Sequence, residues 1–181
     1  MSEPRNAPAH GAVVLGMFET GLRVARSLGR AGIRVIGLDR RQDVGFRSRY
    51  VQASLCPDPL HEVDAFVDHL VRIAAAESHK PVLFVTSDDF LLAVARNRER
   101  LQELFLLNLP ETETPESIAD EYRQYQLARS TGIPAPATLL LESAADVARL
   151  GDQIPFPVFV KAREVTSWRN SSVTIATVCS S

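Results

Sequence analysis

Cysteine is nearly missing from this chain: Cys56 and Cys179 are the only two in 181 residues, far apart, with no Cys-x-x-Cys and no histidine cluster beside them. That excludes a disulfide framework, indicates no zinc site, and makes a reducing cytoplasm the expected setting. An excess of basic charge is missing too. Twenty Lys and Arg stand against 22 Asp and Glu, a formal charge of -2. No dense basic stripe is visible along the sequence, so nucleic acid is not an expected partner. No run of about 18 apolar residues exists to span a membrane. Met1 to His10 is polar, holds two prolines and lacks the apolar core of a leader, and it reads as a disordered N-terminus. What remains is ordinary: 45% hydrophobic and 23% charged residues describe a folded globular protein rather than a fibre or a disordered tail. The length suits one small domain plus part of a second.

The apolar residues come in short runs. Gly11 to Gly16 (GAVVLG) is bounded by glycines and reads as a strand buried on both faces of a parallel sheet. Gly21 to Ala31 follows with Leu22, Ala25 and Leu28 at helical spacing, and Ile33 to Leu38 is a second strand ending in Asp39. Strand, helix, strand is a βαβ unit. After an arginine-rich loop from Arg40 to Arg49, the pattern returns: a weak strand at Tyr50 to Leu55, and a helix at Glu62 to Ala76 with Val63, Phe66, Val67, Leu70 and Ile73 on one face. Pro81 to Val85 is another buried strand, and Thr86, Ser87, Asp88 and Asp89 are expected to cap the helix Phe90 to Ala95. A short helix over Arg98 to Leu104 and a strand at Phe105 to Leu109 complete five strand candidates. Such alternation predicts an α/β, Rossmann-like open parallel sheet.

The acidic, proline-bounded segment Pro110 to Pro115 reads as a boundary. Beyond it, Thr114 and Pro115 suit a helix start, with Ile118, Tyr122 and Tyr125 on one face and an end at Gly132. Ile133 to Pro136 must be extended, and Ala137 to Leu141 is expected to continue as a strand. Ser143-x-x-Asp146 has the form of a capping box. Phe156 to Val160 is a further apolar strand, read as buried, that delivers Lys161 at its end. The residues from Asn170 onward find no place in a fold.

Several positions carry groups able to do chemistry. Gly16 and Gly21 bracket the first strand-to-helix turn, where a doubly wound fold binds ligands, although their spacing is not G-x-G-x-x-G and a plain turn explains them as well. Asp39 stands where a nicotinamide-binding fold places its ribose carboxylate. Thr86, Ser87, Asp88 and Asp89 sit at a strand's carboxyl end, a place that could line a ligand cleft, although helix capping alone accounts for their composition. Lys161 is placed to meet phosphate as a point charge, or to be a solvated strand end. Arg163, Glu164, Trp168 and Arg169 are either part of such a site or an exposed edge. His10, His61, His69 and His79 have no metal or base spacing, and no G-x-S-x-G elbow occurs.

The order of motifs says more than any one of them. It runs V-V-L-G-x4-G-L-x-x-A-R-S-L-G-R-x-G-I, then G-F-R-S-R-Y, P-V-L-F-x-T-S-D-D, R-x-Y-x-L-A-x-x-x-G-I-P-x-P and F-P-x-x-V-K-x-R-E. From about residue 11 to 169 this resembles the ATP-grasp superfamily, in particular the carboxylate–amine ligases related to the carbamoyl phosphate synthetase large subunit and to D-aspartate ligase. The resemblance implies a preATP-grasp Rossmann-like domain at 11–113, the start of an incomplete first ATP-grasp lobe at 114–169, and an unplaced tail at 170–181. It implies ATP-dependent ligation through an acyl phosphate, with Mg²⁺ neutralising the phosphates, a small carboxylate and an amine as substrates, and no catalytic residue assigned in this chain. Lys161 and Arg163 are the nucleotide-binding candidates so implied, and Gly16, Gly21, Thr86, Ser87 and Asp88 the substrate-cleft candidates. Arg163, Trp168 and Arg169 resemble the family's K-P-R-x-S-x-x-W-R continuation, with Ala162 in place of proline.

Two departures stand out. Glu121 occupies a position where the family usually has a lysine or arginine that helps to bind nucleotide, and a carboxylate there opposes triphosphate. The glycine-rich phosphate loop, the adenine-contacting hinge and the acidic metal ligands would all fall beyond residue 181, and the tail does not match the family's continuation, as a truncated or out-of-frame read would produce. The expectation is an N-terminal portion of a ligase, inactive by itself, with apolar strand edges that recruit other chains. The alternative is a stand-alone binding module for a small molecule or a nicotinamide cofactor; a non-catalytic interaction protein is a third reading.

Overall fold

A computed structural model of the chain describes residues 10–109, 120–143, 145, 146, 149, 157–161 and 176–179. The chain divides into two compact units, Met1–Pro115 and Glu116–Ser181.

The first unit is built on a five-stranded parallel sheet in the order β3-β2-β1-β4-β5. Its strands are β1 (Ala12–Leu15), β2 (Val35–Asp39), β3 (Gln52–Leu55), β4 (Val82–Val85) and β5 (Leu106–Leu107). β1 is central and all four of its residues are buried, as expected of a short apolar run covered on both faces. One face packs on α2 (Val63–Ala75), α3 (Asp88–Arg96) and α4 (Arg98–Gln102). There Val13, Leu15, Leu38 and Leu83 meet Phe66, Leu70, Phe90, Val94 and Leu101, and the Phe66 and Phe90 rings lie 5.4 Å apart, tilted by 49°. The other face packs on α1 (Glu19–Arg30), where Val14, Val35 and Met17 meet Ala25. β2 and β4 flank β1 in parallel register, Val14 facing both Gly37 and Phe84. The connections from β1 and into β4 therefore diverge, and the carboxyl ends of β1 and β4 form the switch point where doubly wound sheets take ligands.

The α/β, parallel-sheet expectation holds, with local corrections. The capping side chains expected at Thr86 to Asp89 do not cap: α3 begins at Asp88, behind Ser87, and no side chain accepts its first amides. The Thr86 hydroxyl and the Asp89 carboxylate are committed elsewhere, as described below. β5 is two residues long, because its only partner is β4. The arginine-rich loop contains a single 3-10 turn, Val44–Arg47, capped by Asp43.

In the second unit, α5 (Glu121–Ser130) is capped by Asp120, whose carboxylate accepts from the amides of Tyr122 (3.0 Å) and Arg123 (3.2 Å). The start expected at Thr114 and Pro115 lies outside the described residues. Gly132, at φ 76, ends the helix region in a conformation that other residues rarely adopt. Ala137 to Leu141 is not a strand: nothing pairs with it among the described residues, and Pro134 and Pro136 offer no amide hydrogen. The capping box expected at Ser143 forms by half, since the Asp146 amide bonds to the Ser143 backbone carbonyl and not to its hydroxyl. The Asp146 carboxylate accepts from the Ser143 amide and hydroxyl, and Arg149, the Glu142 amide and Ser143 hold its pKa down to about 2.

The largest correction concerns the tail. Ala176–Cys179 is a strand, β7, antiparallel to β6 (Val158–Lys161), with Val158 opposite Cys179 and Lys161 opposite Ala176. A β-branched stretch needs a partner in space to count as a strand, and this partner lies far back in the sequence. β6 is also not the buried strand expected, since Phe159 is 60% exposed.

One packed residue responds to pH. His69 on α2 is half-buried, its Nε2 is shut away from solvent without a partner, and burial, then the nearby Arg72 charge, lower its pKa. The folded state thus prefers neutral imidazole, and stability present above about pH 6.5 falls as the pH drops and the unfolded chain takes up the proton first. His69→Gln is expected to flatten this acid slope, as urea melts between pH 7 and 5 will show.

Candidate functional site

The site is built around the turn between β1 and α1. Gly16 takes φ 86, and a Cβ there would stand 2.9 Å from the Thr86 hydroxyl oxygen. At Gly21 a Cβ would lie 1.7 Å from the Gly16 carbonyl oxygen, so only glycine lets the first turn of α1 close on the end of β1. The Thr86 hydroxyl, at the end of β4, lies 2.8 Å from the carbonyl oxygens of both Leu15 and Gly16 and donates its one hydrogen to that pair. Gly16, Gly21, Thr86, Ser87 and Asp88 are thereby brought together at the switch point. Thr86 and Ser87 are half-buried and Asp88 is exposed. The first turns of α1 and α3 both lack a side-chain cap, and the partial positive charge of each helix start faces this end of the sheet.

Asp39 plays a different part from the one a nicotinamide fold would give it. Its carboxylate accepts from the Met17 amide at 2.6 Å and from the Arg40 amide at 2.8 Å, and the residue is 8% exposed. It is a strut that ties the β1–α1 turn to β2, with each of its two oxygens already accepting an amide. Arg40, which the sequence reading passed over as loop, then bridges two carboxylates: Asp89 at 3.2 Å and Asp58 at 3.4 Å. Asp89 is buried and Asp58 half-buried, so one guanidinium neutralises acids from the start of α3 and the loop after β3. Burial alone would raise the Asp58 pKa, but hydrogen bonds from Leu60 and His61 together with Arg40 bring it below the usual value. Beside them, burial, then Asp39 and Asp58, push the Cys56 thiol up to about 12, so it stays protonated and unreactive at neutral pH. Nothing in the sequence marked Arg40, because its partners lie 18 and 49 positions downstream and meet only through the sheet order.

Apolar side chains edge the same end of the sheet. Phe18 is 59% and Val44 48% exposed. Gly45 donates its amide to the Met17 carbonyl at 2.9 Å, which docks the 3-10 turn against the β1–α1 turn.

Lys161 is the last residue of β6 in the second unit. Glu121 is the first residue of α5 and half-buried. Arg163, Glu164, Trp168 and Arg169 lie outside the described residues. Among the described residues no group of three or more His, Cys, Asp or Glu is placed to hold a metal ion, and no helix is long and apolar enough to cross a membrane.

This architecture is the fold of the N-terminal portion of ATP-grasp enzymes, which the motif order led us to expect. In particular, the chain is similar to N5-carboxyaminoimidazole ribonucleotide synthetase in its ADP complex, with a TM-score of 0.70 and 11% identity over 97% of this chain and 42% of that one. It is similar to the L-amino acid ligase of Bacillus licheniformis, with a TM-score of 0.65 and 13% identity over 95% and 39%. It is also similar to the biotin carboxylase domain of Hydrogenobacter thermophilus 2-oxoglutarate carboxylase, solved with MgADP, ADP and bicarbonate, with a TM-score of 0.55 and 15% identity over 93% and 37%. At these identities the likeness is one of fold, and the chain spans about two fifths of each of these proteins. No protein-family model and no curated protein matches the sequence.

Asp39→Ala would leave two buried amides without their charged acceptor and strip Arg40 of its anchor. Urea denaturation is expected to show a loss of about 3 kcal/mol, while NAD added to the wild-type chain leaves its melting temperature unchanged. A saturable NAD-induced stabilisation, absent in the variant, would restore the nicotinamide reading.

Proposed function

We propose that this chain is the N-terminal portion of an ATP-dependent carboxylate–amine ligase. The observation that carries the reading is the pairing of two features in one chain. The first is a Rossmann-like sheet whose switch point gathers Gly16, Gly21, Thr86, Ser87 and Asp88. The second is a unit that ends a strand on Lys161, within a fold shared by proteins solved with ADP and MgADP. In this reaction a substrate carboxylate attacks the γ-phosphorus of ATP, releasing ADP and forming an acyl phosphate. An amine then attacks the acyl carbon and expels phosphate. The barrier is one of charge, so cations and Mg²⁺ must neutralise the phosphates. Lys161, with Arg163, would supply part of that charge as a nucleotide contact. The switch point would take the carboxylate of the small substrate, attracted by the positive helix starts of α1 and α3.

Mg²⁺ would be held by residues other than those described, since these include no suitable donor cluster. In this reading the chain alone is inactive. The setting is the cytoplasm, and neither nucleic acid nor a membrane is a partner. The β6–β7 pair has no third strand among the described residues, and Phe159 and Val160 are exposed, so self-association through these edges is part of the proposal. Sedimentation velocity is expected to show oligomers; a compact monomer at high concentration would count against that part.

The reading is tested by calorimetric titration of ADP and Mg²⁺ into the purified 181-residue chain. Weak saturable binding is expected, reduced about tenfold by Lys161→Ala, which corresponds to roughly 1.4 kcal/mol, and strengthened by Glu121→Lys, which replaces a repelling charge with an attracting one. ADP binding indifferent to Lys161 would sink the assignment, and amine-dependent ATP hydrolysis by the chain alone would refute its inactivity.

A further inference from the structure

Composition hides a strongly basic face. Residues 20 to 50 contain eight arginines and no lysine, against two aspartates, in a chain whose formal charge is -2. Three of these arginines have carboxylate partners: Arg34 pairs with Glu77, Arg40 with Asp58 and Asp89, and Arg41 with Asp43. The other five, Arg23, Arg26, Arg30, Arg47 and Arg49, have no carboxylate partner among the described residues, and all five are exposed. Arg23, Arg26 and Arg30 follow one another at three- and four-residue spacing along α1, which sets them in a row on its solvent side, opposite the buried Gly21 and Ala25. Like charges so placed repel; Glu19, one turn before Arg23, is the one acid of α1 on this face, and neither Arg26 nor Arg30 forms an ion pair among the described residues.

Two guanidiniums converge further. The Arg49 Nη2 donates to the Tyr50 hydroxyl oxygen at 2.7 Å, with its Cζ 4.8 Å from the ring centroid. Arg30, in the last turn of α1, follows Gly29, on which Tyr50 packs, and its charge, after the hydrogen bond from Arg49, helps to lower the phenol's pKa. Arg30 complements the negative end of the helix, and Arg49 gains from the ring face, but neither effect requires both cations to lie beside one neutral phenol. The arrangement is held in place from below. Tyr50 packs against the α1 backbone at Gly29, where an added Cβ would stand 2.5 Å from the Tyr50 Cβ, and the loop is pinned through the Gly45 amide on Met17.

From these observations we infer that Arg30, Arg49 and Tyr50, flanked by Arg26 and Arg47, form a binding site for the phosphate group of a small phosphorylated molecule. Guanidinium forks match phosphate oxygens in pairs, and a dianion is the ligand that removes the repulsion between two neighbouring cations. The site lies wholly in the first unit, and it shares no residue with the switch-point cleft or with Lys161. It is therefore independent of the proposed ligase chemistry.

The test uses the full chain and inorganic pyrophosphate without metal or nucleotide, followed by calorimetry at fixed ionic strength. One-site binding is expected in the wild-type chain. In Arg30→Gln/Arg49→Gln, a pair of exposed positions whose variant should retain the wild-type circular dichroism melt, affinity should fall at least about tenfold. Arg72→Gln removes one exposed, unpartnered arginine from α2, and Lys161→Ala removes the nucleotide candidate; both should bind as wild type. Absence of binding, or equal loss in Arg72→Gln, would overturn the site. Binding of a single-stranded oligonucleotide that pyrophosphate fails to displace would also overturn it, pointing to a nucleic-acid surface. Loss of ADP binding with pyrophosphate binding intact would overturn the ligase reading alone.

Discussion

The first unit depends on how closely a helix can begin beside the strand that precedes it. The carbonyl of Gly16 and the α-carbon of Gly21 approach until no methyl group fits between them, and three other elements are fastened to that contact. β2 holds it through the Asp39 carboxylate on the Met17 amide, β4 through the Thr86 hydroxyl, and the 3-10 turn through Gly45. Each fastening uses a polar group that would otherwise be a buried liability. Because the contact stands at the switch point of the sheet, the geometry that makes the turn tight also gathers the groups of the cleft.

Much of this fold was legible because it rests on local pattern. A run such as Ala12–Leu15 has no polar side, so a parallel strand covered on both faces is its natural place, and Phe66, Val67 and Leu70 repeat at a helical period. Where the reading failed, the deciding information was distant. β7 was invisible because a four-residue stretch becomes a strand only by pairing with β6. Ala137 to Leu141 has strand-like residues but no neighbour to receive their hydrogen bonds among the described residues. The apolar β6 was taken for core, yet it belongs to a two-stranded pair with an exposed face.

The candidate site was legible in its residue types and less so in its roles. Thr, Ser and Asp after a strand suggest helix caps, and sequence cannot tell that the Thr86 hydroxyl turns back to two carbonyls while Asp89 turns to Arg40. The same blindness affects charge. A composition near neutrality dispersed the arginines of residues 20 to 50 into an average, whereas folding sorted them into those that meet acids and those left along α1. Asp39 shows the opposite error, a carboxylate at a cofactor-like position whose task is structural.

The strand order has a consequence for biosynthesis. β1 is the first of the sheet's five strands in chain order and the one that ends in its middle, with β2 on one side and β4 on the other. Its second partner, beginning at Val82, emerges 70 residues after Ala12, roughly 4–14 s later at about 5–20 residues per second. Throughout that interval one edge of a wholly apolar strand is open. The sheet of this unit is complete around β1 only once β4 arrives, and a nascent chain paused before it would carry an unpaired apolar strand edge.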